Sequence, residues 1–113
     1  MSETIIQQTL PLPDGIQVHP VGDIDLSRSP QLRLELLHLA KSNHKRLVID
    51  LAQVPYMDSS GVATLIETLQ VQRKSGGRLI LCSLQPKVLS IFEIARLNMV
   101  FTIVEDAAAA RSA

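Results

Sequence analysis

Two short runs decide most of what this chain can become. RLVIDLAQV, from Arg46, and RLILCSL, from Arg78, are almost continuously apolar with aliphatic, partly β-branched centres. A strand with one wet face alternates apolar and polar residues. A strand covered on both faces does not, so each run predicts an interior strand of a parallel sheet packed by helices. Parallel neighbours need a crossover, and the stretch between the runs supplies one. Val62, Leu65, Ile66 and Leu69 recur at i, i+3, i+4 and i+7, with Thr64, Glu67, Gln70 and Lys74 placed on the opposite face, until Gly76-Gly77 ends the helix.

The remaining segments extend the same pattern. Thr4 to Leu12 and Ile16 to Val21 are β-compatible runs separated by Pro13-Asp14-Gly15, which predicts a hairpin. In GDIDLSRSPQLRLELLHLAKSN, Ser29 and Pro30 read as cap and first residue of a helix whose Leu32, Leu36, Leu39 and Ala40 share a face. After Gln85-Pro86 a further helix turns Val88, Leu89, Phe92 and Ala95 inward and ends near Asn98; MVFTIV is a last strand and EDAAAARSA a short terminal helix. The expected fold class is α/β, with a small mixed β-sheet, mostly parallel with an N-terminal hairpin edge, packed by about four helices. Residues 1–113 form one domain with its core at about 5–110.

Composition narrows the function. Lysine and arginine equal aspartate and glutamate at 11 each, so no net field draws the chain to nucleic acid or anionic lipid. Tyr56, Phe92 and Phe101 are the only aromatics, too few for a base-stacking platform. No apolar run approaches the ~18 residues of a membrane span, and MSETIIQQTLPLPDG lacks the features of a signal peptide. The expected compartment is the cytoplasm, with no membrane insertion. Cys82 reads as a buried packing residue.

Candidate chemistry concentrates in VPYMDSSGVATLIETLQ. Asp58, Ser59, Ser60 and Gly61 sit after a strand and before a helix expected to begin near Val62, the end of a parallel sheet where ligands and partners are met. Asp and Ser are preferred helix caps, yet one residue suffices for that, and no Glu or Gln follows at capping-box spacing. A hydrolase elbow needs glycines two before and two after its serine, and neither serine has them; nothing directs His19, His38 or His44 here. Asp23, Asp25, Asp50 and Asp58 lack His or Cys at metal-ligand spacing. A phosphoryl group at a helix start is held by its partial positive charge and changes the exposed surface without refolding the chain. From the residues alone, capping and signalling stand level.

YMDSSGVATL following RLVIDLAQV resembles the signature of the STAS domain, specifically of bacterial anti-sigma factor antagonists. GDIDLSRSPQLRLEL and the stretch from Gly76 to Ala110 resemble the rest of the domain in order and spacing. The resemblance implies a non-enzymatic partner switch without a cofactor. The unphosphorylated antagonist binds an anti-sigma factor serine kinase, phosphorylation by that kinase, with the kinase's ATP, ends the complex, and a PP2C-type phosphatase restores it. By the same resemblance Ser59 is the phosphoacceptor, Asp58, Ser60 and Gly61 are its neighbours, and Asp23, Asp25, Val62 and Thr64 contact the partner. Taken alone, Asp25 equally suits a cap or turn acceptor. The chain reads Gly61-Val62-Ala63 where these antagonists often read Gly-Leu-Gly. A STAS scaffold in a transporter or other non-sigma complex is the alternative, in which the hydroxyls only cap. An exposed helix face and a hairpin edge fit a monomer or a weak dimer.

Overall fold

A computed structural model describes residues 5–113. The hairpin forms from β1 (Ile6–Leu12) and β2 (Gly15–Pro20), antiparallel around the Pro13-Asp14 turn, with Leu12 opposite Gly15. Thr4, the expected first strand residue, lies outside the described residues. Next come α1 (Ser29–Ala40), β3 (Arg46–Asp50), α2 (Ser59–Lys74), β4 (Arg78–Cys82), α3 (Pro86–Ile94), a 3-10 turn (Leu97–Met99), β5 (Thr102–Val104) and α4 (Ala107–Ser112). The strands lie in chain order in one sheet, and every pairing after the hairpin is parallel.

Strands β3 and β4 are buried on both faces, as their unbroken apolar runs require. Leu47, Ile49, Leu79 and Leu81 point into the larger core with Leu32, Leu36 and Ala40 of α1, Leu65 and Leu69 of α2, and Val88 and Phe92 of α3. Val48, Ile80 and Cys82 point the other way and pack under Ala110 of α4. Arg46 and Arg78 fasten that short helix by donating to the backbone carbonyls of Ala110, Arg111 and Ala113. Phe92 and Phe101 meet edge to face at 5.4 Å, closing the core between α3 and β5.

Several boundaries differ from the sequence expectation. The apolar run after β3 leaves the sheet at Asp50, and Leu51 to Val54 form a turn closed by Val54 N–H on the Leu51 carbonyl. Of MVFTIV only the last three residues pair with β4; Met99 and Val100 are exposed in and after the 3-10 turn. Ala95 does not face inward, because α3 ends at Ile94 and Arg96 turns left-handed at φ 59°. Ser29 is the first helical residue rather than the cap of α1; Arg28 holds the cap position and its side chain makes no capping bond.

Thr64 also departs from expectation: it is 5% exposed and belongs to the buried side of α2, together with Thr68 and Gln72. The spacing of four residues aligns them along one stripe. Thr64 Oγ1 donates to the Ser60 carbonyl at 3.0 Å and Thr68 Oγ1 to the Thr64 carbonyl at 2.8 Å. Each threonine hydroxyl is thereby satisfied within the helix, which permits burial without an orphaned donor.

Candidate functional site

Two segments far apart in sequence meet at the carboxyl end of β3. Ile24 and Met57 form an isolated parallel bridge, in which Ile24 N–H donates to the Tyr56 carbonyl at 2.9 Å and Asp58 N–H to the Ile24 carbonyl at 3.1 Å. Both side chains are buried, so the loop holding Asp23 and Asp25 is zipped beside the start of α2. Gly22 makes the approach possible: its φ is +92°, and a Cβ there would lie 2.6 Å from Arg28 Nη1. That guanidinium donates to the carbonyls of Val21 and Asp23, holding the loop from below.

Helix α2 begins at Ser59, three residues before the expected Val62, because Asp58 is its cap. Asp58 Oδ1 accepts the backbone N–H of Ser60 at 2.9 Å and of Gly61 at 3.3 Å, and the Ser60 hydroxyl at 2.5 Å. Its other oxygen accepts Leu26 N–H at 3.0 Å. The Ser60 hydroxyl, with the help of these backbone N–H groups, holds the Asp58 carboxyl below the usual carboxylate range. Asp25 behaves similarly: Oδ1 accepts the Ser27 hydroxyl and the N–H groups of Ser27 and Arg28, and the Ser27 hydroxyl is the main cause of its lowered pKa. Asp25 is therefore the turn acceptor at the entrance to α1, the role its residue type alone equally allowed.

The two serines have different surroundings. Ser60 is half-buried, donates to Asp58 and lies 2.9 Å from the Ser29 hydroxyl of α1. Ser59 is exposed, and its hydroxyl takes no hydrogen bond among the described residues. Gly61 is forced by packing: a Cβ there would stand 2.6 Å from Met57 Cγ and 2.7 Å from Ile24 Cγ2. The helix start can press onto the bridge only without a side chain.

Around Ser59 the surface mixes acid and apolar groups. Asp23 is exposed, Asp25 half-buried, and Leu26 and Tyr56 are 73% and 50% exposed. Val62 is half-buried against the core, so the solvent face of the first turn is Ser59 and Ala63. A groove of about 410 Å³ runs between α1 and α2 past Ser29, Leu34, Ser60 and Thr64, floored at its far end by the two-pronged Arg33–Glu67 pair at 2.7 and 2.8 Å. Leu26, Ser29 and the Arg33–Glu67 pair were not legible as site residues, since only the fold brings α1 beside α2.

The histidines lie elsewhere in hydrogen-bonding terms. His19 Nε2 meets Gln17 at 2.9 Å and Nδ1 lies 3.7 Å from Asp50, whose other oxygen accepts Ala52 N–H. Neither serine has a histidine partner in any of these contacts. Among the described residues no group of three or more His, Cys, Asp or Glu could hold a metal ion, and no helix is long and apolar enough to cross a membrane.

An open, mostly parallel sheet with a capped helix start and a spare hydroxyl at its carboxyl end defines a small α/β domain built around a surface site. The model of the STAS domain matches residues 7–110, and the chain belongs to that family. It is 36% identical over 90 residues to the anti-sigma-B factor antagonist of Bacillus subtilis, covering 80% of this chain and 82% of that protein. Its fold matches the crystal structure of an anti-sigma factor antagonist from Mycobacterium paratuberculosis with a TM-score of 0.85 at 21% identity, over 93% of this chain and 89% of that one. The Bacillus cell fate determinant SpoIIAA in its phosphorylated form superposes with a TM-score of 0.68 at 18% identity, over 90% and 94% of the two chains.

Proposed function

We propose that the chain is an anti-sigma factor antagonist that works by partner switching, without catalysis of its own. Unphosphorylated, it binds an anti-sigma serine kinase through the acidic and apolar surface around Asp23, Asp25, Leu26 and the exposed side of the first turn of α2. Val62 takes part through its exposed edge, and Thr64 supports the groove beneath. Phosphorylation of Ser59 ends the complex, and a PP2C-type phosphatase restores it in the cytoplasm.

One observation carries this reading: of the two adjacent serines at the helix start, Ser59 alone is exposed and takes no hydrogen bond among the described residues, while Asp58 caps and Ser60 is tied into the fold. Capping leaves that hydroxyl without a task. The names of the relatives support the antagonist reading, and the phosphorylated form of SpoIIAA is a precedent on the same fold. In the transfer, the Ser59 oxygen bonds to the γ-phosphorus of the kinase's ATP, the bond to the bridging oxygen breaks, ADP leaves, and the hydroxyl proton passes to a base on the kinase.

Phosphate adds about 1.5 to 2 negative charges at a point where Asp58 has already taken the free N–H groups of Ser60 and Gly61. The new anion therefore remains outward beside two carboxylates and resists desolvation against a partner. The test is incubation with the anti-sigma serine kinase of the same organism and ATP, followed by site mapping by mass spectrometry. One phosphate on Ser59, absent in Ser59→Ala and accompanied by loss of kinase binding, is expected. An unmodified Ser59, or full binding by the phosphorylated chain, overturns the reading.

A further inference from the structure

The hydroxyls of Ser29, Ser60 and the carboxylate of Asp58 form a chain with a single possible polarity. Asp58 is ionised and can only accept, so the one hydrogen of Ser60 goes to Oδ1 at 2.5 Å. The contact of 2.9 Å between Ser60 Oγ and Ser29 Oγ must then be donated by Ser29. Ser29 is 4% exposed, and it does not cap α1, so that contact is what its hydroxyl does for the site.

We infer that Ser29 is a positioning residue that makes the phosphorylation of this site specific for Ser59. The inference rests on the proposed partner-switching function and deepens it. Two serines with the same nucleophilic group stand side by side, and a kinase must modify one. To present its half-buried oxygen to a kinase, Ser60 has to turn away from Ser29 and Asp58, whereas the exposed Ser59 breaks no hydrogen bond among the described residues. Ser29 supplies one of the two restraints by occupying an oxygen lone pair on Ser60 and anchoring it to α1.

The transfer on Ser60 would balance as it does on Ser59: a new oxygen–phosphorus bond, ADP as leaving group, and the hydroxyl proton taken by a base on the kinase. What differs is access, and Ser29 controls part of it. Removing its hydroxyl disturbs neither the cap of α2 nor that of α1, because Asp58 and the backbone serve those ends.

The full chain, Ser29→Ala and Ser29→Cys, which keeps the volume with a weak donor, are phosphorylated by the organism's own anti-sigma serine kinase with ATP, and phosphate on each serine is quantified by mass spectrometry. The share of phosphate on Ser60 is expected to rise about fivefold in Ser29→Ala, the factor that about 1 kcal/mol of lost hydrogen bond represents, and by a smaller factor in Ser29→Cys. Ser29→Thr restores the parent distribution. Nuclear magnetic resonance of the Ser60 hydroxyl gives a readout that needs no kinase, with faster exchange expected in Ser29→Ala. Phosphate on Ser59 with the same Ser60 share in every variant overturns the role of Ser29 while leaving partner switching intact. A parent chain modified on neither serine overturns both.

Discussion

Asp58 Oδ2 accepts the backbone N–H of Leu26 at 3.0 Å, so the carboxylate that caps α2 is also an anchor of the loop leading into α1. One side chain thus joins two segments 32 residues apart at the site.

That dual role predicts an acid-sensitive fold. The folded pKa of Asp58, of Asp25 and of Glu67 lies below the ordinary value, the last held down mainly by the Arg33 guanidinium. Groups lowered in this way contribute stability above their unfolded pKa of about 4 and lose it as pH falls through the folded value. Urea midpoints at pH 7 and pH 3 should therefore differ, and Asp58→Asn should narrow that difference. An equal loss in parent and variant would assign the acid sensitivity elsewhere.

The two serines should respond oppositely to alanine. Ser59→Ala is expected to change stability by no more than about 0.5 kcal/mol, because its exposed hydroxyl takes no hydrogen bond among the described residues. Ser60→Ala should cost about 1 to 2 kcal/mol, since it removes a donor to Asp58 and leaves the buried Ser29 hydroxyl without its acceptor. Denaturant titration of both variants checks the contrast. Ser59→Asp should likewise keep its melting temperature while weakening kinase binding; unfolding of that variant would make Ser59 a residue of the fold.

Gly61→Ala tests the close approach of the helix start to the bridge. Its added methyl would meet Met57 Cγ, Ile24 Cγ2 and, at 3.0 Å, the Ile24 backbone carbonyl. Overpacking against a partner that includes backbone should cost about 1 to 3 kcal/mol, read as a lower Tm. The amide signals of Ile24 and Met57 should shift with it.

Cys82 should be inert in the folded chain. Burial, with Asp50 and Asp106 acting in the same direction, pushes its thiol up to about 11. Alkylation at pH 8 is expected to be at least ~100-fold slower than in denaturant. Deleting α4, which covers the thiol through Ala110, should speed the reaction.

Much of the fold was legible because its signals are local. The apolar runs of β3 and β4 announce two covered faces, and Leu65 with Leu69 marks the inner side of α2. The same logic misplaced Thr64. Hydrophobic periodicity treats a threonine as polar, yet a hydroxyl that bonds its own helix four residues back can be buried without cost from an orphaned group. MVFTIV failed for a different reason: β propensity is satisfied only where a neighbouring strand offers its edge, and the turn after α3 delivers just Thr102–Val104 to β4.

By itself the sequence determined the α/β class, the parallel pairing that needs helical crossovers, and the position of Asp-Ser-Ser-Gly at a strand-to-helix junction. Those features depend on neighbours within a few residues. Which serine is spare depended on the tertiary structure, because the decision is made by groups distant in the chain. Asp58 reaches Leu26, Ser29 reaches Ser60, and Ile24 bridges to Met57. A hydroxyl's availability is set by whether such a partner arrives, and no local spacing records that arrival.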